Sequence, residues 1–151
     1  MAEEVRAVIV DTYAIIADLT GQAPPRAIQI LEKVRIGEVK GILHYLIIYE
    51  LAYHWRRGRL PFRDEKELQE FINTYFKIEP SSLSTAVEAS RIKIIGDQIL
   101  RDSNDPKLKR RRLSVSDATT IVLAERYKAP IVTGDIDLSY VAQKLGLKVI
   151  W

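Results

Sequence analysis

Short, almost continuously apolar segments alternate along this chain with longer segments of helical periodicity. The first of them, residues 5–11 (VRAVIVD), is rich in β-branched residues and ends on an aspartate. Strands of this kind are buried on both faces, as in parallel sheets. Further predicted strands are KGILHY (40–45), APIVTGD (129–135) and LKVIW (147–151). The alternation predicts βαβ units, and hence an α/β fold with a parallel sheet covered by helices.

Six segments between these strands show helical spacing of apolar residues or recognisable helix ends. They are residues 23–37, 46–58, 61–76, about 85–100, 113–127 and 138–146. Asp64 is a predicted N-cap, and Thr85 with Glu88 fits a capping box before the long fourth helix. Because residues 64–105 contain only predicted helices, we expect them to form a helical arm beside the sheet.

Length and composition indicate a single globular domain spanning residues 1–151. The chain is 47% hydrophobic and 28% charged, and it has no cysteine, which excludes disulfides and thiolate metal sites. No apolar run approaches the length of a transmembrane helix, and the acidic start MAEEVRAVIVD does not fit a signal peptide. We therefore expect a cytoplasmic protein without membrane contact. The net charge of +3 favours a polyanionic partner.

Three aspartates follow two of the predicted strands. Asp11 ends the first strand, and Asp135 and Asp137 follow the apolar pair of segment 129–135. Ligands of open α/β sheets bind beyond the carboxyl ends of the strands, so these acids share one rim if the two strands are neighbours. A simpler interpretation is that aspartates favour loops and helix N-caps, and that Asp137 caps the helix beginning near residue 138.

Two further acids lie on predicted helices among apolar residues. Asp117 lies on an apolar helix face, and Glu50 lies within the segment LIIYELAYHW. An unpaired carboxylate in such surroundings is costly or takes up a proton. Local explanations also exist, since Ser114 and Asp117 fit a capping box and His54 lies one turn after Glu50.

Carboxylates held close together repel one another, so at least one is protonated near neutral pH unless a cation lies between them. Mg²⁺ and Mn²⁺ prefer oxygen ligands, retain several waters and are completed by substrate phosphates. Two such ions about 3.5–4 Å apart activate water and stabilise the leaving oxygen in phosphodiester cleavage. If the acids converge, they therefore predict a magnesium or manganese site.

Three segments of the chain resemble the PIN domain family, and most closely its VapC-type toxin ribonucleases. They are VDTYAIIADL near the start, YELAYHWRRG on an early helix, and LSVSDATTIVLAERYKAPIVTGDIDLSYVAQKLGLKVI at the end. The resemblance implies a three-layer sandwich with a parallel four- to five-stranded sheet and helices on both faces. It also implies cleavage of single-stranded RNA with Mg²⁺ or Mn²⁺, common homodimers and, in toxins, a small antitoxin protein that blocks the site.

The resemblance further implies roles for individual acids. Asp11, Glu50, Asp117 and Asp135 match the four acids of the family, and Asp137 matches an accessory acid two residues later. Asp11 and Asp117 are expected to hold the main ion. Glu50 and Asp135 are expected to share it, position water or hold a second ion.

Candidate substrate-binding residues lie in two places. Thr133 matches a hydroxyl residue of the family that binds a carboxylate or a water, whereas Tyr13 departs from the small hydroxyl residue frequent at its position. The run KLKRRR, just before the helix of Asp117, supplies the cations Lys107, Lys109, Arg110, Arg111 and Arg112. We interpret this run as a track for backbone phosphates, with a solvated loop as the alternative.

The remaining aromatic and histidine residues are interpreted structurally. Tyr45, Tyr49, Tyr53 and Trp55 are more typical of core or dimer contacts than of base-stacking platforms. His44 and His54 are interpreted as structural histidines, because a metal-activated water needs no histidine base.

Three other functions remain possible from the sequence. A phospho-receiver domain is also a parallel α/β sheet, but Asp11 is followed by Thr12 where an acid pair is needed, and TGDIDL offers no lysine. A PIN-like module that binds RNA or protein without cutting is a second alternative. A PIN ribonuclease of housekeeping RNA maturation is the third.

Overall fold

The computed structural model describes residues 4–151. Residues 1–3 lie outside the described residues, and they begin the segment MAEEVRAVIVD, which does not fit a signal peptide. The strands are β1 (Ala7–Val10), β2 (Lys40–His44), β3 (Lys77–Glu79), β4 (Ile131–Val132) and β5 (Val149–Ile150). The helices are α1 (Thr12–Leu19), α2 (Pro25–Arg35), α3 (Tyr45–Arg56), α4 (Glu65–Tyr75), α5 (Leu83–Arg101), α6 (Pro106–Lys109), α7 (Val115–Tyr127) and α8 (Ile136–Lys144).

The five strands form one parallel sheet in the order β3-β2-β1-β4-β5. The chain moves outward from β1 through β2 to β3, and then returns to the other side of β1 with β4 and β5. Strand order therefore reverses between β1 and β4, where Ile9 pairs with Ile131 and Val10 with Val132. Parallel sheets open a crevice at such a switch point, outside the carboxyl ends of the strands.

Alternating strand residues enter two separate cores. Val8 and Val10 of β1 pack into a cluster with buried residues of α1 to α4, whereas Ile9 packs into a cluster with buried residues of α5 to α8. Because both faces of the sheet are covered, the neighbouring strands β1 and β4 are apolar throughout. The predicted three-layer α/β sandwich, with five strands and helices on both faces, is confirmed.

The structure differs from the sequence-based expectation in residues 64–105. Asp64 does cap α4, since its carboxylate accepts a hydrogen bond from the Glu67 N–H (2.8 Å). The expectation of helices alone was wrong, because β3 lies between α4 and α5 and pairs with β2 at the sheet edge. The capping box was also placed one turn too late: Ser82 caps α5 and accepts from the Thr85 N–H (3.1 Å).

Two helices were not predicted, α1 and the four-residue α6, which overlaps the start of the basic run. Helix α1 begins directly after Asp11, and its sequence TYAIIADL has too many adjacent apolar residues to show a clear helical period. Among the helices of residues 4–151, none combines the length and apolarity needed to cross a membrane.

Candidate active site

Asp11 is held at the switch point by two hydrogen bonds to the β4 side. Its N–H donates to the Val132 carbonyl (3.1 Å), and its carboxylate Oδ2 accepts from the Thr133 hydroxyl (2.8 Å). The residue is only 5% exposed. Asp11 occupies the N-cap position of α1, yet its side chain makes no capping hydrogen bond. Its carboxylate therefore remains available to a ligand.

Asp135 lies on the opposite side of the same crevice and does act as a helix cap. One of its carboxylate oxygens accepts from the Leu138 N–H (3.1 Å) at the start of α8. Its own N–H donates to the Thr133 hydroxyl (3.0 Å), so Thr133 connects Asp135 with Asp11. The alternative in which Asp137 caps this helix was wrong, because Asp137 already lies in its first turn.

Asp117 enters the site from the first turn of α7. Ser114 caps this helix and accepts from the Asp117 N–H (3.0 Å), so the capping interpretation is confirmed for the backbone. This bond uses the Asp117 amide and the Ser114 hydroxyl. The Asp117 side chain still lines the crevice beside Asp11.

Glu50 reaches the site from α3 and is fixed by hydroxyl groups of two other helices. Its Oε1 accepts from Ser116 (2.6 Å) on α7 and from Thr12 (3.3 Å) on α1. It does not pair with His54, whose Nδ1 lies 2.9 Å from the Arg59 guanidinium. Ser116 and Thr12 were missed by sequence reasoning, because their spacing from Glu50 becomes meaningful only in the folded chain.

These acids line a single cleft of about 670 Å³ at the carboxyl ends of β1 and β4. The acids in its wall are Asp11, Glu50, Asp117, Asp135 and Asp137. A second cavity, of about 380 Å³, lies beside His44 and Lys93 and contains none of the five. The larger cleft is therefore the candidate site for carboxylate chemistry.

Burial and mutual repulsion disfavour ionisation in this cleft. Burial, together with the charges of Asp11, Asp135 and Glu50, raises the pKa of Asp117 to about 8. Burial also raises the pKa of Asp11 to about 6, against the hydrogen bond from Thr133, which favours the ionised form. The pKa of Asp137 is raised by burial and by Asp135, and Arg111 partly offsets this.

The donor chemistry of the cleft fits a hard divalent cation. Within residues 4–151, only Asp137 of the five acids has a basic side chain within 4.0 Å, namely Arg111 at 3.4 Å. In the same part of the chain, no three His, Asp or Glu side chains form a ready ligand set around one point. Mg²⁺ binds one or two carboxylates and otherwise keeps its waters, so two acids of the cleft, such as Asp11 and Asp117, would be enough to hold it.

The basic run before α7 divides between the cleft and the surface. Arg112 lines the cleft, and Arg111 reaches its edge through Asp137. Lys109, at the end of α6, and Arg110 are exposed beyond the cleft wall. The basic run thus begins at the wall of the acidic cleft and continues over the surface, and its contact with phosphates stays a prediction.

A clamp from α5 fixes the end of this basic run. The Asp97 carboxylate accepts from the Leu113 N–H (2.8 Å), and Lys93 donates to the Leu113 carbonyl (2.7 Å). Lys93 and Asp97 also form an ion pair (3.1 Å). Sequence reasoning missed this clamp, although the i, i+4 spacing of Lys93 and Asp97 was a visible signal.

The histidine and aromatic predictions had mixed outcomes. His44 is a structural histidine: its Nδ1 accepts from the Leu46 N–H (3.2 Å), its Nε2 lies 2.9 Å from the Thr120 hydroxyl, and burial lowers its pKa to about 4. Trp55 packs against the core as expected. A core position was wrong for the other aromatics of α3, because the side chains of Tyr45, Tyr49 and Tyr53 are exposed.

Several solved structures have a fold similar to that of this chain. The chain superposes on PAE2754 from Pyrobaculum aerophilum (TM-score 0.60, 19% identity, 96% of this chain and 83% of that one). It also superposes on VapBC2 from Rickettsia felis bound to a fragment of its promoter DNA (0.61, 12%, 95% and 96%). A third is the Mycobacterium tuberculosis VapC20, a toxin that cleaves the sarcin-ricin loop (0.57, 16%, 87% and 92%). At these identities the likeness supports the fold.

A comparison with curated proteins finds no significant match. A family model described as "PIN domain" matches residues 8–144, which is nearly the whole chain and includes all five acids of the cleft. The resemblance inferred from the sequence is therefore confirmed, and the chain belongs to the PIN domain family.

Proposed function

We propose that this protein is an endoribonuclease that hydrolyses single-stranded RNA with the help of Mg²⁺ or Mn²⁺. The observation that carries the proposal is the meeting of Asp11, Glu50, Asp117 and Asp135 in one cleft at the β1–β4 switch point. Four carboxylates with a raised pKa at two of them form a site that a divalent cation stabilises.

Each acid has a distinct part in this proposal. Asp11 and Asp117 hold the main ion, and Asp135 and Asp137 support it from the start of α8. When bound, the ion activates water and stabilises charge on the phosphodiester. Glu50, oriented by Ser116 and Thr12, positions the water or shares the ion. Thr133 keeps the Asp11 carboxylate turned toward Asp135.

The substrate approaches along the basic run in this proposal. Arg112 in the cleft wall and Arg111 at its edge neutralise backbone phosphates that would otherwise be repelled by the acids. Lys109 and Arg110 extend the contact outward along the strand. Single-stranded RNA fits such a site because its backbone bends into a cleft that a rigid duplex does not enter.

A cleavage assay on labelled single-stranded RNA tests the activity. We expect cleavage with Mg²⁺ or Mn²⁺ and none with EDTA. Asp11→Asn and Asp117→Asn keep the shape of the side chain but remove its charge, and should lower kcat by at least about 100-fold. The matched control is Asp102→Asn, which changes an exposed aspartate at the end of α5 and should cut at the wild-type rate. Cleavage in EDTA, or full activity of either cleft variant, would exclude the proposed mechanism.

We further propose that the chain acts as a single PIN-like domain, as a homodimer, and as the toxin of a toxin–antitoxin pair. The similarity in fold to VapC20, a toxin, supports the toxin part of this proposal. Induction of the wild-type protein in a bacterial host should arrest growth, and induction of Asp117→Asn should not. RNA cleavage in vitro without growth arrest would favour a housekeeping nuclease instead.

A further inference from the structure

Two aromatic side chains form one rim of the acidic cleft. Tyr13 lies in the first turn of α1, two residues after Asp11, and Trp151 follows β5. Their rings meet edge to face, with centroids 5.5 Å apart and planes at 79°. Both residues line the same cleft as Asp11 and Asp117. The aromatic rim, defined as Tyr13 and Trp151, therefore borders the proposed reaction site.

A glycine fixes the aromatic rim against the site backbone. A Cβ atom at Gly134 would lie 2.4 and 2.5 Å from two carbons of the Trp151 indole and 2.6 Å from a carbon of the Tyr13 ring. These distances are far below van der Waals contact, so only glycine allows both rings to approach. Gly134 lies between Thr133 and Asp135, which ties the position of the rim to that of the cleft acids.

The aromatic rim keeps accessible ring surface although it has apolar neighbours. Tyr13 is 50% exposed and Trp151 is only partly buried against the core. In an edge-to-face pair the edge of one ring covers one face of the other, so the first ring keeps both of its faces clear of its partner. In a cleft walled by carboxylates, an uncharged nucleobase is accepted more readily than another phosphate. Stacking on an aromatic face is a common way to hold single-stranded RNA without sequence preference.

We propose that Tyr13 and Trp151 form a stacking subsite for one nucleobase next to the scissile phosphate. The proposal rests on the proposed function for the identity of its ligand, single-stranded RNA. The subsite would orient the strand by one base, while the acids and any bound ion act on the phosphodiester beside it.

Fluorescence of Trp151 tests the contact directly, because the chain has only two tryptophans. Trp55→Phe leaves Trp151 as the single tryptophan, and Asp117→Asn in the same protein prevents cleavage during the titration. We expect an RNA oligonucleotide to quench the emission with a saturable curve that follows its binding measured by anisotropy. An oligonucleotide of the same length made only of abasic nucleotides should bind more weakly and quench little. Binding without any change in Trp151 emission would overturn the proposal.

Affinity and kinetics provide a second test. Trp151→Ala and Tyr13→Ala should each weaken RNA binding roughly 5- to 100-fold, the loss expected for one base–aromatic stack. In cleavage assays they should raise KM more than they lower kcat. Trp151→Phe retains an aromatic face and should stay within about threefold of the wild-type affinity. Because this variant preserves packing, it separates stacking from a folding defect.

The matched control is Tyr49→Ala on α3, which removes a tyrosine of similar exposure (58%) outside the cleft lining. It should leave RNA affinity and KM unchanged. Equal losses in Tyr49→Ala and Tyr13→Ala, or wild-type affinity in Trp151→Ala, would overturn the subsite. Cleavage by the wild-type protein with Mg²⁺, but no quenching in the titration, rejects the subsite alone. Quenching in the titration, but no cleavage by the wild-type protein, rejects the nuclease proposal alone.

Discussion

Asp117 shows most clearly how the fold changes the pKa of a single carboxyl group. Its pKa of about 8 and that of Asp11 at about 6 both lie above the usual value near 3.8. At pH 7 without an ion, Asp117 is mostly protonated and Asp11 mostly ionised. Binding of a divalent cation to both groups therefore releases a proton, so we expect metal affinity to rise with pH.

The same raised pKa values predict how apo stability depends on pH. Between about pH 4 and 8 the folded protein binds more protons at Asp117 than the unfolded chain, so its free energy of unfolding falls as pH rises. Each pH unit inside the window is worth about 1.4 kcal/mol for one group. Asp117→Asn removes this penalty. In EDTA the variant should exceed the wild type at pH 8 by a few kcal/mol, and its advantage should shrink toward pH 5.

Urea unfolding at each pH measures this difference. His44 has a lowered pKa and contributes the opposite slope between about pH 4 and 6.5, but it does so in both proteins and cancels. Asp102→Asn is the control and should follow the wild-type curve. Mg²⁺ should stabilise the wild type at pH 8 and the variant much less. An advantage that is equal at pH 5 and pH 8 would contradict the assigned pKa.

The sequence shows which aspartates could cap a helix, but it does not show which of them do so in the folded protein. Asp11, Asp64, Asp135 and Asp137 all suit an N-cap. In the fold, Asp64 and Asp135 accept capping bonds, while the Asp11 carboxylate is bound by Thr133, which is 122 residues away. No local pattern contains that partner. The cleft acids were singled out by their positions at strand ends and among apolar helix residues, and the family resemblance then implied their roles.

At the scale of elements, the α5–α7 pairing sets the position of the cleft wall. Asp97 and Lys93 of α5 hold both backbone groups of Leu113, the residue between Arg112 and the cap of α7. Gly96 allows this approach, since a Cβ there would lie 2.5 Å from a methyl carbon of Leu113. The clamp of Lys93 and Asp97 therefore fixes both the end of the basic run and the start of α7, the helix of Asp117.

Removal of the Asp97 carboxylate should loosen the end of the basic run without changing any of the cleft acids. Asp97→Ala leaves the buried Leu113 N–H without its acceptor and removes the ion pair of Lys93, and should cost about 1–3 kcal/mol of stability. We also expect weaker RNA binding, because Arg112 is no longer held at the cleft. Thermal unfolding and anisotropy measure the two effects.

The control for this prediction is Asp102→Ala at the exposed end of the same helix, which should change stability by no more than about 0.5 kcal/mol. If Asp97→Ala were as stable as that control, the clamp would make no contribution to the stability of the fold.

Helices with a clear period and strands of β-branched apolar residues were predictable, whereas α1, α6 and β3 were not. The segments of α2, α3, α4, α5, α7 and α8 were all predicted as helices, with small errors at their ends. Helix α1 was missed because its apolar residues lie on all sides of the helix and therefore show no helical period. Strand β3 was missed because its three residues are defined by pairing with β2 rather than by their own pattern.

At the scale of the whole molecule, the acidic cleft and the basic run lie next to each other along the path proposed for the RNA. The five acids lie inside the cleft, and the basic run begins at its wall and extends over the surface. Contact with phosphates through this run makes affinity fall with salt. Changing Arg110, Arg111 and Arg112 together to Gln should weaken RNA binding and flatten the slope of log affinity against log salt by up to about 2.

A variant with the same change in net charge controls for long-range attraction. Arg26, Lys33 and Lys66 are exposed on α2 and α4, which cover the opposite face of the sheet. Their joint replacement by Gln should lower affinity slightly and keep the slope. If both triple variants flatten the slope equally, the run acts only through net charge and makes no contact of its own.

The central position of β1 has a consequence for the timing of synthesis. Asp11 emerges among the first residues, but its neighbour strand β4 and the hydroxyl that orients it come more than a hundred residues later. A ribosome must translate through Asp135 before the four acids can meet. A nascent chain that stalls earlier therefore carries Asp11 without an assembled cleft.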